Sequence, residues 1–337
     1  MIRAKEDVTK ENLAREMDEI ARKLGFASLE EATSFPRFVQ IETIRHCNAK
    51  CPFCAVDQWD MSTPRMSDQL FSKIVDELAD HAETVRWVNI QRAGEPLLDK
   101  RLPSWIARVK DAGIKTVTMS TNASLLTEQK SRELLEAGLD ELMISIDSVD
   151  KDEYEKLRVG LDYETVIENI RSFFAMREEL RPDATVRVRG VLFKSPKDTD
   201  FQSFLERWES FWAPYRKPQD RIYMREPHSW GNEMWWDDNI PSYETTYHPC
   251  TTLWASLQIT SSGKVALCTD DVDAKDLLGD VSVQSMAEVW RGVAMERMRM
   301  LHATGRRNEI PRCVGCRTYE DEGSMEKDSF VLYEERA

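Results

Sequence analysis

The residues most able to do chemistry in this 337-residue chain are its seven cysteines, which fall into two groups. The first group has the spacing C-x3-C-x2-C and consists of Cys47, Cys51 and Cys54. The second has the spacing C-x17-C-x44-C-x2-C and consists of Cys250, Cys268, Cys313 and Cys316. A cubane iron-sulfur cluster normally takes four thiolate ligands, so three cysteines leave one iron open and four close the site. The two groups therefore predict two different tasks.

Both cysteine groups could bind zinc instead of an iron-sulfur cluster. His46 could complete a tetrahedral site with the first three cysteines, and two distant cysteines before a C-x2-C pair are also a structural zinc pattern. If both groups held zinc, the protein would be a non-catalytic interaction protein. Iron content separates the readings, because two cubanes predict about eight irons per chain.

Composition limits the class of protein further. The net charge of −14 and the pI near 5.0 argue against a nucleic acid partner, because such ligands select clustered Lys and Arg. No run approaches the roughly 18 apolar residues that a membrane span needs, and MIRAKEDVTKEN is too polar for a signal peptide. We therefore expect a cytoplasmic protein whose cysteines are reduced and available as metal ligands.

Strand-like runs alternate with amphipathic segments through the first two thirds of the chain. The runs are residues 38–44, 85–91, 115–120, 141–147 and 185–193, with a weaker sixth at 221–224. Alternation of this kind predicts βαβ units and a parallel sheet, and six units without a GxGxxG turn suggest an open, partial (β/α)6 TIM-like barrel. Polar candidates follow the strands, where such folds place their chemistry.

Four segments follow from these patterns. They are a helical cap at 1–36, the partial barrel at 37–226, a bridge at 227–248 and a small α+β domain at 249–337. The last contains a hairpin pattern, LQITSSGKVALC, and a helix near 285–302. The bridge and the segment before it are rich in tryptophan, and buried core or interface is the commoner role for that residue. These tryptophans are Trp208, Trp212, Trp230, Trp235 and Trp236.

The cysteine triad resembles the signature of the radical S-adenosylmethionine (SAM) superfamily, including an aromatic residue, Phe53, before the last cysteine. The runs AGEP, TNAS and SID match further motifs of that family in order, over about residues 38–225. The resemblance implies that the open iron chelates SAM and that one electron cleaves it to a 5′-deoxyadenosyl radical. It also implies a set of SAM-contacting residues, with Glu95 on the methionine amine and Arg158 on the carboxylate. The others are Phe53, Ser120, Asn122 and Ser145.

The second cysteine group, with PCTTLW, SSGKVALC and CVGC around it, resembles the Twitch domain, a shortened SPASM domain. This implies a second [4Fe-4S] cluster, closed by four protein ligands and suited to electron transfer. The spacing is similar to that of radical SAM dehydrogenases of aminoglycoside biosynthesis, namely 2-deoxy-scyllo-inosamine dehydrogenase and its spectinomycin counterpart. That resemblance implies oxidation of a secondary alcohol of an aminocyclitol or sugar to a ketone, in antibiotic biosynthesis, with flavodoxin or ferredoxin as electron donor.

The sequence leaves the reaction class and the catalytic base open. A peptide or protein maturase and a sugar epimerase or dehydratase are the alternatives, although an epimerase would need a spare thiol. Acids such as Asp237 and Asp238 would suit an aminocyclitol cation, but a solvated loop is the simpler interpretation. Four residues flank the bridge or the second cysteine group and could act as the base. They are His228, His248, Asp270 and Asp271.

Overall fold

The structure, a computed structural model, describes residues 12–193, 199–225 and 247–316. The strands are β1 Phe38–Ile41, β2 Trp87–Asn89, β3 Thr116–Thr121, β4 Glu141–Ser145, β5 Thr185–Val191, β6 Arg221–Arg225, β7 Ser256–Ile259, β8 Lys264–Ala266 and β9 Gly279–Asp280. The helices are α1 Leu13–Leu24, α2 Leu29–Ala32, α3 Asp68–Asp80, α4 Leu102–Asp111, α5 Glu128–Glu136, α6 Lys151–Leu157, α7 Tyr163–Leu180, α8 Phe201–Trp212, α9 Thr252–Ala255, α10 Met286–Trp290 and α11 Val293–Ala303.

The chain divides into two compact units, each made of segments that are not contiguous in the sequence. We call Glu42–Arg65 with Val88–Pro227 the triad unit, because it carries the first three cysteines. The remainder, Met1–Ile41 with Met66–Trp87 and His228–Ala337, is the four-cysteine unit. The segment limits derived from the sequence remain a prediction.

The triad unit is built on parallel strands in the order β6-β5-β4-β3. Alternate residues of each strand are apolar and buried, such as Val117 and Met119 of β3 and Leu142 and Ile144 of β4. The opposite face is polar, and Ser145 of β4 lies in register with Arg189 of β5. This parallel α/β sheet confirms the predicted fold class.

A buried ion pair fixes a helix to this sheet. Arg177 of α7 donates to both carboxylate oxygens of Asp220, at 2.9 and 2.8 Å, and Asp220 also accepts the N–H of Val186 at 2.8 Å. Because both charges are almost completely buried and hydrogen-bonded, removing either partner would leave an uncompensated charge. The pair therefore locks α7 against β5 and the start of β6.

The four-cysteine unit contains a second group of strands. In it, β7 runs parallel to β1, from Phe38 opposite Ser256 to Ile41 opposite Ile259, and β8 and β9 follow in antiparallel order. The predicted hairpin is present as β7 and β8, and Gly263 takes the left-handed conformation in its turn, at φ 93°. The predicted α+β character of the C-terminal segment is confirmed.

The helix predicted near residues 285–302 is two helices. Ser285 begins α10 with a capping box to Glu288, and Gly292, in extended backbone, begins α11. The break lets Arg299 of α11 fold back on α10, where it stacks on Trp290 at 4.3 Å and donates to its carbonyl oxygen at 2.8 Å. Helical spacing continues across the break, which is why the sequence pattern does not reveal it.

Two of the tryptophans singled out in the sequence are core residues, because Trp208 and Trp212 of α8 are 1% and 0% exposed. None of the helices within 12–193, 199–225 and 247–316 is both long and apolar enough to cross a membrane. Several residues named in the sequence analysis lie outside the described residues. They are His228, Trp230, Trp235, Trp236, Asp237 and Asp238.

Candidate functional site

The cysteine triad lies on a loop of the triad unit whose backbone is held from several sides. The N–H of Cys54 donates to the carbonyl oxygen of Cys51 at 3.0 Å, and the N–H of Ala49 lies 3.4 Å from the sulfur of Cys47. Lys50 donates its N–H to the carbonyl oxygen of Val159, just after α6, at 2.8 Å. None of the three cysteines forms a disulfide.

The AGEP turn packs directly against the start of this loop. Gly94 has φ 76°, and a Cβ there would lie 2.5 Å from the carbonyl oxygen of His46 and 2.8 Å from that of Ile44. The next residue, Glu95, donates its N–H to the same His46 oxygen at 2.8 Å. Glycine is needed here both for its backbone conformation and for the close approach of the two chains.

The carboxylate of Glu95 is buried and organises the loop after β3. One oxygen accepts from the N–H of Leu97 at 3.0 Å and the hydroxyl of Thr121 at 2.7 Å, and the other accepts from the N–H of Asn122 at 2.8 Å. Burial raises the pKa of Glu95, while these hydrogen bonds oppose the rise. Its role toward the methionine amine stays a prediction, and the structure adds a positioning role.

Asn122 connects the loop after β3 to the cysteine loop. Its amide nitrogen donates to the side-chain oxygen of Asn48 at 3.0 Å, and Asn48 in turn donates to the hydroxyl of Ser124 at 2.8 Å. No sequence pattern marks Asn48 beyond its place inside CNAKC. Three segments far apart in sequence thus meet around the cysteine triad.

Arg158 also points at the triad, but its main partner is a carboxylate. Its guanidinium donates two hydrogen bonds to Asp147, and a third nitrogen lies 3.9 Å from the sulfur of Cys51. It also stands 5.1 Å from the ring centroid of Phe53. Asp147 is the acid of the SID motif, and it further accepts the N–H of Val191 at 2.8 Å. The predicted contact of Arg158 with SAM is not tested by this geometry, which shows how the guanidinium is held.

Burial opposes the ionisation of the triad thiols, and a neighbouring cation offsets part of that effect. Burial raises the pKa of Cys47 to about 11 and also raises that of Cys51, where the nearby Arg158 opposes the rise. Burial lowers the pKa of Arg158, but the contributions of Asp147, Cys51 and Tyr154 together outweigh it and the net shift is upward. A permanent cation therefore stands beside a thiol that must lose its proton to bind iron.

The remaining predicted contacts lie on the polar face of the sheet. Ser120 is at the end of β3 and Ser145 at the end of β4, and both are half-buried. Because β3 and β4 are parallel neighbours, these carboxyl ends lie at the same edge of the sheet as the loops just described. Their contacts with SAM stay a prediction.

The second cysteine group gathers within the four-cysteine unit. Burial raises the pKa of each of Cys250, Cys268 and Cys313, the last to about 12, and neighbouring thiols of the group contribute to each shift. Cys316 is among the neighbours that act on all three. The four thiols, none of them in a disulfide, influence one another across 66 residues of chain and therefore form a single site.

Three side chains that the sequence analysis did not single out hold this site. His302 accepts the N–H of Cys250 on Nδ1 at 3.0 Å, and Arg307 donates to the carbonyl oxygens of Cys313 and Cys316 at 3.1 and 2.9 Å. Arg312 pairs with Asp271 at 3.1 Å. Helical or loop context alone gives no signal for them, because their role depends on contacts between distant segments.

Asp271, one of the four candidate bases, is committed to the loop after Cys268. It is 0% exposed, and its oxygens accept the N–H groups of Leu267, Lys275 and Asp276 at 2.9 to 3.2 Å, besides the ion pair with Arg312. A carboxylate with both oxygens occupied in this way is suited to holding structure rather than to taking a proton from a substrate.

The donor set of each site fits an iron-sulfur cluster. Each is made of interacting thiols with a guanidinium beside it, whose positive charge can offset the negative charge of a cluster. Within the described ranges, no three Cys, His, Asp or Glu side chains are grouped to hold a single metal ion.

Comparison with known families decides what these sites are. Residues 41–205 match the radical SAM superfamily, and residues 250–317 match SPASM, an iron-sulfur cluster-binding domain. The chain carries a radical SAM domain followed by a SPASM domain. It is therefore a radical SAM enzyme, and its cofactors are SAM and two [4Fe-4S] clusters, as the cysteine groups predict.

Individual relatives of this radical SAM enzyme differ in function. A probable GTP 3′,8-cyclase from Methanococcus maripaludis is 35% identical over 125 residues, which are 37% of this chain and 41% of that protein. The chain thus matches less than half of the length of such curated relatives. Sequence similarity over so short a part of each protein leaves the substrate open.

Solved structures confirm the fold. BtrN in complex with AdoMet and 2-DOIA has a TM-score of 0.55 at 16% identity, covering 83% of this chain and 92% of that one. SuiB from Streptococcus suis bound to the precursor peptide SuiA has a TM-score of 0.62 at 16% identity, covering 83% of this chain and 71% of the other. Identities this low establish the shared architecture alone.

Proposed function

We propose that this radical SAM enzyme is an oxidoreductase that converts a secondary alcohol of an aminocyclitol or sugar-derived natural product into a ketone. The observation that carries the proposal is the group of four cysteines in the four-cysteine unit, which can close a cluster with protein ligands alone. All seven cysteines are then cluster ligands, so none remains to return a hydrogen atom to the substrate, as an epimerase would need. A structure of the similar fold holds 2-DOIA beside AdoMet, which supports this substrate class.

The proposed reaction removes two hydrogens from the alcohol. When bound, SAM and its cluster supply a 5′-deoxyadenosyl radical, and the second cluster accepts one electron. The carbinol carbon loses a hydrogen atom to the deoxyadenosyl group, the hydroxyl loses a proton, and the remaining electron leaves as the C=O bond forms. A flavodoxin or ferredoxin would deliver the electron that cleaves SAM. Antibiotic biosynthesis is the proposed setting.

The residues of the chain would serve this reaction by positioning. Glu95 and Asn122 hold the loop after β3 against the cysteine loop, and Asp147 holds Arg158 beside Cys51. Such preorganisation fixes the distance between the radical source and the substrate carbon, on which the rate of hydrogen transfer depends. The remaining candidates for the base are His248, Asp270 and His228, the last of which lies outside the described residues.

Product analysis tests the proposal directly. The anaerobically reconstituted enzyme is incubated with SAM, reductant and a panel of aminocyclitols, sugars and sugar phosphates, the last because β5 and β6 carry four arginines. We expect equal amounts of 5′-deoxyadenosine and of a ketone two hydrogens lighter than its substrate. When the carbinol carbon of the substrate carries deuterium, that deuterium should appear in the deoxyadenosine. A product of unchanged mass would overturn the proposal.

A peptide maturase is the second candidate, because the SuiB complex with its precursor peptide has the same fold. The same assay with peptides encoded near this protein separates the two. Crosslinked or oxidised peptide, with every small alcohol unchanged, would replace the dehydrogenase proposal by this one.

A further inference from the structure

The four-cysteine site is held by a buried guanidinium that binds three carbonyl oxygens in two of its segments. Arg307 is 1% exposed and donates to the carbonyl oxygens of His248, Cys313 and Cys316. His248 lies two residues before Cys250, so one side chain connects the segment of the first cysteine to both members of the C-x2-C pair. A planar fork with several fixed donors can bridge three carbonyls in this way, whereas an ammonium group is a single point.

Other contacts complete the frame around the site. His302 accepts the N–H of Cys250 and is buried, and burial followed by the charge of Arg307 lowers the pKa of this imidazole to about 3. Arg312 joins the loop after Cys268 to the segment before Cys313 through its pair with Asp271. Every cysteine-bearing segment is therefore tied to another by a buried side chain.

The charge of Arg307 also lies close to the residues that carry the thiols. Donation by this side chain to the backbone carbonyl oxygens of Cys313 and Cys316, at 3.1 and 2.9 Å, places the guanidinium within hydrogen-bond distance of two of these residues. In a buried site with a low effective dielectric, a charge at such range interacts far more strongly than it would in water.

We propose that Arg307 is a positioning residue of the auxiliary cluster, holding its C-x2-C loop and raising its reduction potential through a fixed positive charge. Reduction adds one negative charge to a cluster, and a nearby cation stabilises the reduced form more than the oxidised one. Contacts of this kind, made to the residues that carry the ligands, orient the ligands and tune the reduction potential of a metal site. The inference rests on the two-cluster content and not on the proposed substrate, so a failure of the dehydrogenase assay leaves it intact.

The test isolates the auxiliary cluster. Replacing Cys47, Cys51 and Cys54 together by Ala removes the SAM-cleaving cluster and leaves about four irons per chain after anaerobic reconstitution. In this background, Arg307→Gln removes the charge, Arg307→Lys keeps it without the fork, and Arg306→Gln makes the same change at an exposed neighbour that pairs with Glu309. Reduction potential, followed by electron paramagnetic resonance, and iron content are measured for each.

We expect Arg307→Gln to lower the equilibrium constant for cluster reduction at least tenfold, which is about 59 mV for one electron. Arg307→Lys should lose part of its iron but keep a potential within about threefold of the parent constant, and Arg306→Gln should match the parent in both measurements.

An unchanged potential in Arg307→Gln, with or without loss of iron, would overturn the charge role. If Arg307→Gln binds no iron at all, Arg307→Lys decides the question. A parental potential in the Lys variant then supports the proposal, and either a tenfold lower constant or the absence of iron contradicts it.

Discussion

The guanidinium of Arg158 is held in place by the buried carboxylate of Asp147. The resemblance to radical SAM enzymes places it on the SAM carboxylate, and the structure shows it gripped by Asp147 with one nitrogen toward Cys51. Because the side chain of Asp147 is 0% exposed and that of Arg158 only 12%, the pair is poorly screened by water. Asp147 therefore determines where the guanidinium points.

Asp147→Asn tests this arrangement at the scale of one residue. The amide keeps the shape but loses the charge that holds Arg158, so we expect SAM affinity to fall at least tenfold, about 1.4 kcal/mol. Isothermal titration with SAM on the reconstituted protein measures it. Asp152→Asn, an exposed acid on α6, is the matched control and should bind SAM like the parent. Parental affinity in Asp147→Asn would contradict the positioning role.

Glu95→Gln tests the second acid of the site. The amide nitrogen of Gln cannot accept a hydrogen bond, so at least one of the three donors at this buried position loses its partner. We expect the free energy of unfolding to fall by about 1–3 kcal/mol, measured by urea denaturation of the cluster-free chain. Glu136→Gln, on the exposed side of α5, should change it by less than about 0.5 kcal/mol. Equal stability of the two variants would show that Glu95 does not hold the loop.

At the scale of elements, the loops after β1, β2 and β3 act as one assembly. The cysteine loop, the AGEP turn and the TNAS loop exchange hydrogen bonds through His46, Glu95 and Asn122. Neither their contacts nor their spacing could be read from the sequence, although their common edge followed from the parallel alternation of strands. A change in the backbone of one loop should therefore displace the other two.

Gly94→Ala tests that dependence. The added Cβ would collide with two carbonyl oxygens of the cysteine loop, so we expect this loop to shift and iron to fall from about eight to about four per chain. Gly138→Ala is the matched control, since its φ of 98° carries a similar strain but its Cβ meets only flexible side chains, those of Lys110 at 3.0 Å and Arg181 at 3.6 Å. The control should lose about 1–2 kcal/mol of stability and keep its iron. Full iron content in Gly94→Ala would refute the steric argument.

At the scale of the whole molecule, the two cysteine groups belong to different compact units. This division lets each cluster be removed separately, and it assigns radical formation to one unit and, in our proposal, electron acceptance to the other. The acidic net charge of the chain contrasts with the four arginines of β5 and β6, so composition as a whole does not describe the polar face of the barrel sheet.

Replacing Cys250, Cys268, Cys313 and Cys316 together by Ala tests the proposed division of labour. We expect about four irons, continued formation of 5′-deoxyadenosine, and a loss of ketone of at least tenfold, because the electron from the substrate has no acceptor nearby. Circular dichroism checks that the variant is folded, and the converse triad variant should form neither product. Parental yields of ketone from the four-cysteine variant would show that the second cluster is not the acceptor.

The sequence by itself predicted the fold class, because the strands of a parallel sheet must alternate with helices. Its resemblance to two families implied the cofactors, whereas the cysteine spacing alone left zinc open. The sequence also placed Glu95 and Asn122 in the loops after β2 and β3, and the roles of these residues toward SAM stay predictions. Only the tertiary structure revealed Asp147 as the partner of Arg158, and Arg307 and His302 as the frame of the second site. Such contacts join residues 11 to 59 positions apart with no periodicity, so they exist only once the chain has folded.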